Sequence, residues 1–271
     1  MVSVDVGFHF LRRRFRWVAL FAILASMAGW AESTHAESWG SRKGRFVYEG
    51  EIPKQPKCNV DKDGEVCKKE HPLVESLIVD PEGGVANVGV WLVTKGVAPH
   101  PDYEKNSQET IVMDNKHCRF EPHFAAVRVG QTLRLTNSDP VSHNVNGGSF
   151  RKNTPFNDNL PPANSVDKVF TAEERLGVPL SCGSHGWMKS WVLVKETPYV
   201  AISNPDGTFE IANLPAGTKL EFKTWHAPSG YIMSPKVAGK EEKWKRGQFE
   251  YTIQEGENDL GDILLSPKEL Q

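Results

Sequence analysis

The chain has 271 residues with 32 basic and 34 acidic side chains, which give a formal net charge of −2 at pH 7. Nucleic-acid-binding proteins carry a basic footprint, so this balance argues against a nucleic-acid partner. The 23 glycines and 18 prolines indicate a turn-rich chain, which is long enough for one large β domain or two smaller ones with separate cores.

Residues 1–36 have the features of a signal peptide. Residues 12–16 are basic, and residues 17–31 form an uncharged, mostly apolar run of about 15 residues, too short for a membrane span. Cleavage fits after Ala31 or after Ala36, and Arg12-Arg13-x-Phe15 also resembles a twin-arginine signal. We expect a periplasmic or secreted protein that is not an integral membrane protein once processed.

The rest of the chain shows short alternating runs of apolar and polar residues separated by turn residues, which is typical of strands. The runs before the middle of the chain are residues 44–50, 75–80, 88–93, 110–113 and 125–135, and those after it are residues 165–170, 199–211, 220–226, 247–253 and 260–265. Residues 146–165 are rich in Asn, Pro and Gly and predict a long loop. Thr171, followed by acidic residues, predicts a helix of a turn or two. The pattern predicts an all-β fold.

The most specific motif places Cys182, His185 and Met188 at C-x-x-H-x-x-M spacing, directly before the strand-like residues 189–194. A thiolate, two imidazoles and a weak thioether are the ligands of a type 1 copper ion. His143, at a predicted strand end far upstream, supplies the second imidazole. We therefore predict one type 1 copper ion bound by His143, Cys182, His185 and Met188.

Two other kinds of site share part of this motif. Half of a zinc site would need further thiolates or imidazoles and no thioether. A nucleophilic Cys–His pair would need a third orienting group and a substrate pocket. The types and the order of the four residues favour copper over both.

Residues 114–195 resemble a cupredoxin, the family that includes plastocyanin, amicyanin and pseudoazurin. The resemblance is carried by Phe120-Glu-Pro122, by residues 127–139 and by Val141-Ser-His-Asn144, followed by the metal-binding loop, whose spacing is most similar to that of amicyanin. It implies a cupredoxin-like Greek-key β-sandwich, which we place at residues 44–198 together with an N-terminal extension.

Residues 199–266 resemble the carboxypeptidase regulatory-like, transthyretin-type β-sandwich, in which Asp-Gly-x-Phe and Leu-Pro-x-Gly turns recur. The corresponding turns here begin at Asp206 and Leu214. We expect a second, smaller sandwich in this region, and the resemblance concerns its fold and not its chemistry. The two modules together resemble secreted planctomycete-type proteins, some of them labelled methylamine-utilisation-like.

The cupredoxin resemblance also implies roles for residues around the metal. His143 is expected to be buried, and His185 is expected nearer the surface, where it passes the electron. Trp187 is a candidate docking element or a lid over the metal. Asn144 is expected to bond the thiolate through its backbone and to tie the two ligand loops together. His123 is a candidate wall residue beside the site.

With Cys182 assigned to the metal, Cys58, Cys67 and Cys118 remain for one disulfide, as fits an exported protein. The residues alone leave all three pairings open. The resemblance to the planctomycete-type proteins implies the pair Cys67–Cys118, which leaves Cys58 free.

These expectations describe an exported single-electron carrier of the cupredoxin type, not an enzyme, that exchanges electrons with an unidentified redox partner protein. The alternatives are a protein that stores, buffers or senses copper, a carbohydrate-related enzyme suggested by the second sandwich, and an adhesion module with a vestigial motif. An enzyme is disfavoured because a type 1 site has no open coordination position and no carboxylate pair stands out.

Overall fold

The computed structural model describes residues 38–271, and the predicted signal peptide lies outside the described residues. Within residues 38–271, no helix is both long and apolar enough to cross a bilayer. Strands dominate this part of the chain, and the all-β prediction is confirmed.

The elements are short and follow one another closely. In chain order the strands are β1 (Trp39–Tyr48), β2 (Val88–Leu92), β3 (Ile111–Lys116), β4 (Arg119–Glu121), β5 (Phe124–Arg128), β6 (Thr132–Asn137), β7 (His143–Gly147), β8 (Phe156–Leu160), β9 (Ser165–Val169), β10 (Val178–Ser181), β11 (Lys189–Lys195), β12 (Val200–Ile202), β13 (Thr208–Pro215), β14 (Lys219–His226), β15 (Gly230–Tyr231), β16 (Lys236–Val237), β17 (Lys240–Glu241), β18 (Gln248–Thr252) and β19 (Gly256–Leu265). The helical elements are α1 (Gly64–Cys67), α2 (Pro101–Lys105) and 3₁₀ turns at Lys245–Gly247 and Pro267–Leu270.

The strands form four sheets that pack as two sandwiches, each around its own apolar core. The site sandwich consists of the sheet β5-β11-β10-β7-β8 and the sheet β4-β3-β6-β9. The second sandwich consists of the sheet β13-β1-β19-β16-β17 and the sheet β12-β2-β14-β15, where β18 also pairs with β14.

The core of the site sandwich follows from alternation along its strands. In β6, Leu133 and Leu135 are fully buried, whereas Arg134 between them is exposed. They share one core with Val192 and Val194 of β11, in the facing sheet. Because successive side chains of a strand point to opposite faces, one face of each sheet is apolar. The apolar faces of the two sheets pack against each other.

The N-terminal strands pair with strands from the C-terminal part of the chain. Strand β1 is antiparallel to β13 and parallel to β19, and β2 lies between β12 and β14. Phe46 of β1 stacks on Phe209 of β13 with ring centroids 5.0 Å apart. The predicted N-terminal extension thus shares sheets with the second sandwich, and the domain bounds 44–198 and 199–266 stay a prediction.

A smaller apolar cluster joins the two sandwiches. Trp225 of β14 makes edge-to-face contacts with Phe124 of β5 and Trp191 of β11, with ring centroids 5.7 Å and 5.1 Å apart. Trp91 of β2 and Leu193 of β11 belong to the same cluster. Aromatic contacts of this kind add to the ordinary gain from burial, so packed side chains fasten the sandwiches to each other.

Some local predictions are wrong. No helix follows Thr171, because Glu174 instead accepts the backbone N–H groups of residues 151–153. Residues 75–80 contribute an isolated bridge at Val79 and not a full strand. The predicted loop at residues 146–165 contains β8, which pairs with β7. At Glu174 and in β8, contacts with another segment of the chain decide the local conformation.

Cys67 and Cys118 form a disulfide with their Cα atoms 5.5 Å apart and a sequence separation of 51 residues. This is the pair that the resemblance implied, and Cys58 is a free thiol. The bond ties α1, which lies between β1 and β2, to the turn before β4 in the site sandwich. A loop of this length contributes about 4 kcal/mol by constraining the unfolded chain.

His226, at the end of β14, is a fully buried imidazole whose Nδ1 lies 3.0 Å from Ser229 Oγ. Burial, with a smaller effect from the charge of His123, lowers the pKa of His226 to about 4. Its unfolded pKa is near 6.5. The unfolded chain therefore takes up this proton first as the pH falls. The stability that neutral His226 contributes is complete above pH 6.5 and is lost down to about pH 4.

We predict that the free energy of unfolding falls more steeply between pH 6.5 and pH 4 in the wild type than in His226→Gln. The expected difference is up to about 3 kcal/mol, measured by guanidinium unfolding at several pH values. His71→Asn, at an exposed histidine, serves as the control and should follow the wild type. Parallel curves for the wild type and His226→Gln would contradict the assignment.

Candidate metal centre

The four predicted ligands come from two places in the site sandwich. His143 is the first residue of β7, Cys182 directly follows β10, and His185 and Met188 lie on the loop between β10 and β11. Strand β10 pairs with both β7 and β11, which sets this loop beside His143. The exposed fractions are 0 % for both histidines, 1 % for Met188 and 2 % for Cys182. The candidate ligands are therefore closed off from water.

Three of these side chains direct their ligand atoms to one point. Nδ1 of His143 lies 2.9 Å from Nδ1 of His185, and Sγ of Cys182 lies 3.9 Å and 3.6 Å from these two nitrogens. A point equidistant from the three atoms is about 2 Å from each, close to the metal–imidazole distance of about 2.0–2.1 Å. Within residues 38–271, no other trio of His, Cys, Asp or Glu side chains converges in this way. The trio fits a single metal ion.

Met188 closes the ligand loop through its backbone. Its N–H donates to the carbonyl of His185 over 2.9 Å, and its carbonyl accepts the N–H of Cys182 over 3.2 Å. Its side chain belongs to the same buried core cluster as Cys182. The role of the thioether as a weak fourth ligand stays a prediction.

The site favours a thiolate at neutral pH. Burial opposes ionisation, but hydrogen bonds from His143 and His185 and from the backbone N–H of Asn144 lower the pKa of Cys182 to about 5. Burial would also lower the pKa of His143, yet its hydrogen bonds to Asp139 and Cys182 raise it to about 9. These pKa shifts favour a thiolate beside a protonated His143 in the metal-free site, and a metal ion would displace that proton.

Each imidazole is held from behind by a carboxylate. His143 Nε2 lies 2.9 Å from Asp139 Oδ2, and His185 Nε2 lies 2.8 Å from Asp63 Oδ2. A carboxylate at Nε2 keeps the ring hydrogen on that nitrogen and leaves Nδ1 free to bind a metal. Asp139 and Asp63 therefore orient the two rings toward the same point.

The sequence motifs did not point to either carboxylate. Asp139 lies four residues before His143, so its closeness in sequence to a candidate ligand was the available signal. Asp63 is separated from His185 by 122 residues and lies between β1 and β2, outside the site sandwich. No local pattern points to Asp63, because only the folded chain brings it to the metal centre.

Asn144 links the two ligand segments. Its backbone N–H donates to Cys182 Sγ over 3.4 Å, and its side-chain Oδ1 accepts the backbone N–H groups of Gly183 and Ser184 over 2.7 Å and 3.2 Å. One bond to sulfur stabilises the thiolate, and the other two hold the loop against β7. These are the contacts that the resemblance implied for Asn144.

The expectation that His185 lies nearer the surface than His143 is wrong. Both rings are fully buried, because Asp63 and its segment cover the edge of the His185 ring. Trp187 is partly exposed, its ring stands edge-on to His185 with centroids 5.1 Å apart, and its Nε1–H donates to the carbonyl of Cys118 over 3.0 Å. Trp187 is thus the aromatic residue that leads from His185 toward the surface.

His123 lies outside the converging trio but close to the site. Its Nδ1 is 3.3 Å from Glu75 Oε2, and its side chain is 8 % exposed. It lines a cleft of about 720 Å³ that Trp187, Trp191 and the free thiol Cys58 also line. His123 therefore lines the same cleft as Trp187, and its role as a wall residue beside the metal centre stays a prediction.

Comparisons with known proteins return solved structures only, since no protein-family model and no curated protein matches the chain. A purple cupredoxin from Nitrosopumilus maritimus is 22% identical, covering 31% of this chain and 99% of its own, with a TM-score of 0.27. A mutant of amicyanin in its oxidised state is 18% identical, covering 39% of this chain and 98% of its own, with a TM-score of 0.29. A copper-containing nitrite reductase from Thermus scotoductus is 16% identical, covering 56% of this chain and 28% of its own, with a TM-score of 0.30.

Proposed function

We propose that this protein is an exported type 1 copper protein that carries single electrons. The observation that supports the proposal is the convergence of Cys182 Sγ with the Nδ1 atoms of His143 and His185 at metal-binding distance. One thiolate and two imidazoles form the trigonal ligand set of blue-copper sites, where a thioether is the weak axial donor. A copper ion bound there supplies a one-electron Cu(II)/Cu(I) couple.

The contribution of the chain is to fix its ligands in advance. Asp139 and Asp63 orient the two imidazoles, and Asn144 holds both the sulfur and the loop that carries it. With every ligand side chain buried and held, little rearrangement accompanies a change of charge at the centre. Small rearrangement is what favours repeated transfer of an electron through the protein.

The burial of the ligands supports a carrier over an enzyme. A catalytic metal site keeps one coordination position open for water or substrate, whereas His143, Cys182, His185 and Met188 are all buried. A protein that stores or senses copper could use the same ligands. It differs from a carrier in the reversibility of its couple, so voltammetry of the copper-loaded protein separates the two.

We place the electron route to a redox partner protein through Trp187. His185 was expected to be the exposed port, but it is buried. The ring of Trp187 contacts His185 and is partly exposed. It therefore offers the partner an aromatic surface that directly contacts a proposed copper ligand. In this proposal, the second sandwich positions the carrier on its partner. The encounter takes place in the periplasm or outside the cell, and N-terminal sequencing of the exported protein tests this location.

We predict one copper ion per chain and a strong thiolate-to-Cu(II) absorption band in the visible spectrum. Cys182→Ser removes the thiolate and should abolish the band. Cys58→Ser, at the free cysteine outside the ligand trio, is the matched control and should keep both colour and copper. Metal analysis with visible spectroscopy checks this, and a Cys182→Ser variant that stays coloured would refute the assignment.

Met188→Leu should retain copper and raise the reduction potential. The substitution removes a soft donor while roughly keeping the side-chain volume, and a weak axial ligand tunes the potential of such a site. Metal analysis and voltammetry of the variant provide the measurement. Complete loss of copper would show that the thioether is a principal ligand and that the proposed geometry is wrong.

Trp187→Ala should slow electron self-exchange several-fold while leaving the visible spectrum nearly unchanged. The truncation removes the ring that leads from His185 to the surface, and it leaves the ligands in place. Trp187→Phe keeps an aromatic ring but loses the bond to Cys118, so it should exchange faster than the Ala variant. NMR line broadening in mixtures of oxidised and reduced protein gives the rate, and equal rates in all three proteins would exclude this route.

A further inference from the structure

A segment outside the site sandwich reaches the metal centre. Residues 57–74, here called the cap, form a loop whose two ends meet at an antiparallel bridge between Lys57 and Leu73. Two backbone bonds close the base of the cap, from Cys58 N–H to Pro72 O over 2.9 Å and from Val74 N–H to Pro56 O over 2.8 Å. The cap is therefore a closed loop with its own base, and helix α1 lies within it.

Asp63 of the cap points its carboxylate at the metal centre and not at its own helix. It is the residue that precedes α1, a position where Asp commonly accepts N–H groups of the first turn. Its side chain makes no such capping bond, and its backbone is left-handed with φ 48°. The carboxylate lies 2.8 Å from His185 Nε2 instead. An uncommon backbone conformation together with an unused capping role indicates that the contact with His185 determines this position.

Cys118 connects the cap to both imidazoles. Its sulfur is bonded to Cys67 at the end of α1. Its N–H donates to Asp139 Oδ2 over 2.9 Å, the same oxygen that lies 2.9 Å from His143 Nε2. The carboxylates behind His143 and His185 are thus joined to each other through one disulfide.

We propose that Asp63 is a positioning residue for the copper ligand His185, and that the Cys67–Cys118 disulfide holds the cap so that Asp63 stays in place. This inference rests on the proposed copper function for its effect on the metal. Its structural half, the fixing of the His185 ring, concerns the metal-free protein as well. The cap covers the side of the site on which His185 lies and so keeps this imidazole out of contact with solvent.

The first test compares Asp63→Ala with Asp63→Asn and with Asp61→Ala, a control at an exposed aspartate of the same cap. Copper affinity, measured by competition of bicinchoninate for Cu(I), should fall roughly 10–100-fold in Asp63→Ala. Asp63→Asn keeps an acceptor oxygen without the charge and should recover part of the loss. The reduction potential should be higher in Asp63→Asn than in the wild type and highest in Asp63→Ala, because a carboxylate that accepts the Nε2 hydrogen of His185 favours Cu(II). The control should match the wild type.

A second readout needs no copper. In metal-free protein, the ring N–H of His185 should give a slowly exchanging NMR signal in the wild type and in Asp61→Ala, and Asp63→Ala should lose it. If the copper-treated wild type shows no thiolate-to-Cu(II) absorption band but the metal-free protein shows this NMR signal, the proposed function fails and the Asp63 contact stands. If Asp63→Ala keeps the signal and its affinity lies within twofold of the wild type, the positioning role is overturned.

The role of the disulfide is tested by a double-mutant cycle. Cys67→Ser with Cys118→Ser should lower copper affinity in the same direction as Asp63→Ala, because the cap is no longer fastened. Adding Asp63→Ala to that background should change the affinity less than twofold, since the carboxylate is already displaced. Losses that simply multiply would show that the disulfide does not act through Asp63. If the serine variant does not fold, the same cycle compares wild type and Asp63→Ala before and after chemical reduction of the disulfide.

Discussion

The burial of one thiolate and two imidazoles in an apolar core is the constraint on which the rest of this structure depends. A charge taken out of water is costly unless it is paired and hydrogen-bonded. The sulfur of Cys182 is paired with His143 and His185 and accepts the N–H of Asn144. Each imidazole is in turn backed by a carboxylate, Asp139 or Asp63, whose side chains are 7 % and 35 % exposed. Hydrogen-bonded contacts therefore lead from the sulfur through the two imidazoles to the two carboxylates at the rim of the core, and the folded chain keeps these groups in this order.

The second sandwich takes part in this arrangement through the connectivity of the chain. The cap lies between β1 and β2, and both of these strands are held in the sheets of the second sandwich. The cap is thus fixed at its two ends by one sandwich and through the Cys67–Cys118 disulfide by the other. Trp225 and the apolar residues around it pack between the two sandwiches and hold them together. The position of Asp63 at the metal centre is consequently a property of the whole described chain and not of the site sandwich alone.

The candidate ligand trio was predictable because residue types and short motifs single out its members. Cys182 and His185 lie within one short loop, and His143 begins a strand, so residue type and spacing suffice. The all-β class follows from the period of two in runs such as residues 132–137. What the sequence did not reveal depends on contacts between distant segments: the burial of His185 under Asp63, the pairing of β1 with β19, and the use of Glu174 as an acceptor for a neighbouring loop. Periodicity determines which face of a strand is apolar, but it does not determine which strand lies beside it.

The parallel pairing of β1 with β19 also constrains the order in which the chain can fold. These are the first and last strands of the described chain, and Phe46 on β1 packs in the same core as Ile263 and Leu265 on β19. Contacts between residues so far apart in sequence form late, since the entropy of closing the intervening loop must be overcome first. The strands of the site sandwich pair without β19, whereas the second sandwich is completed only when β19 joins β1. Until then one edge of β1 has no neighbour, and the chain depends on its last strand to cover its first.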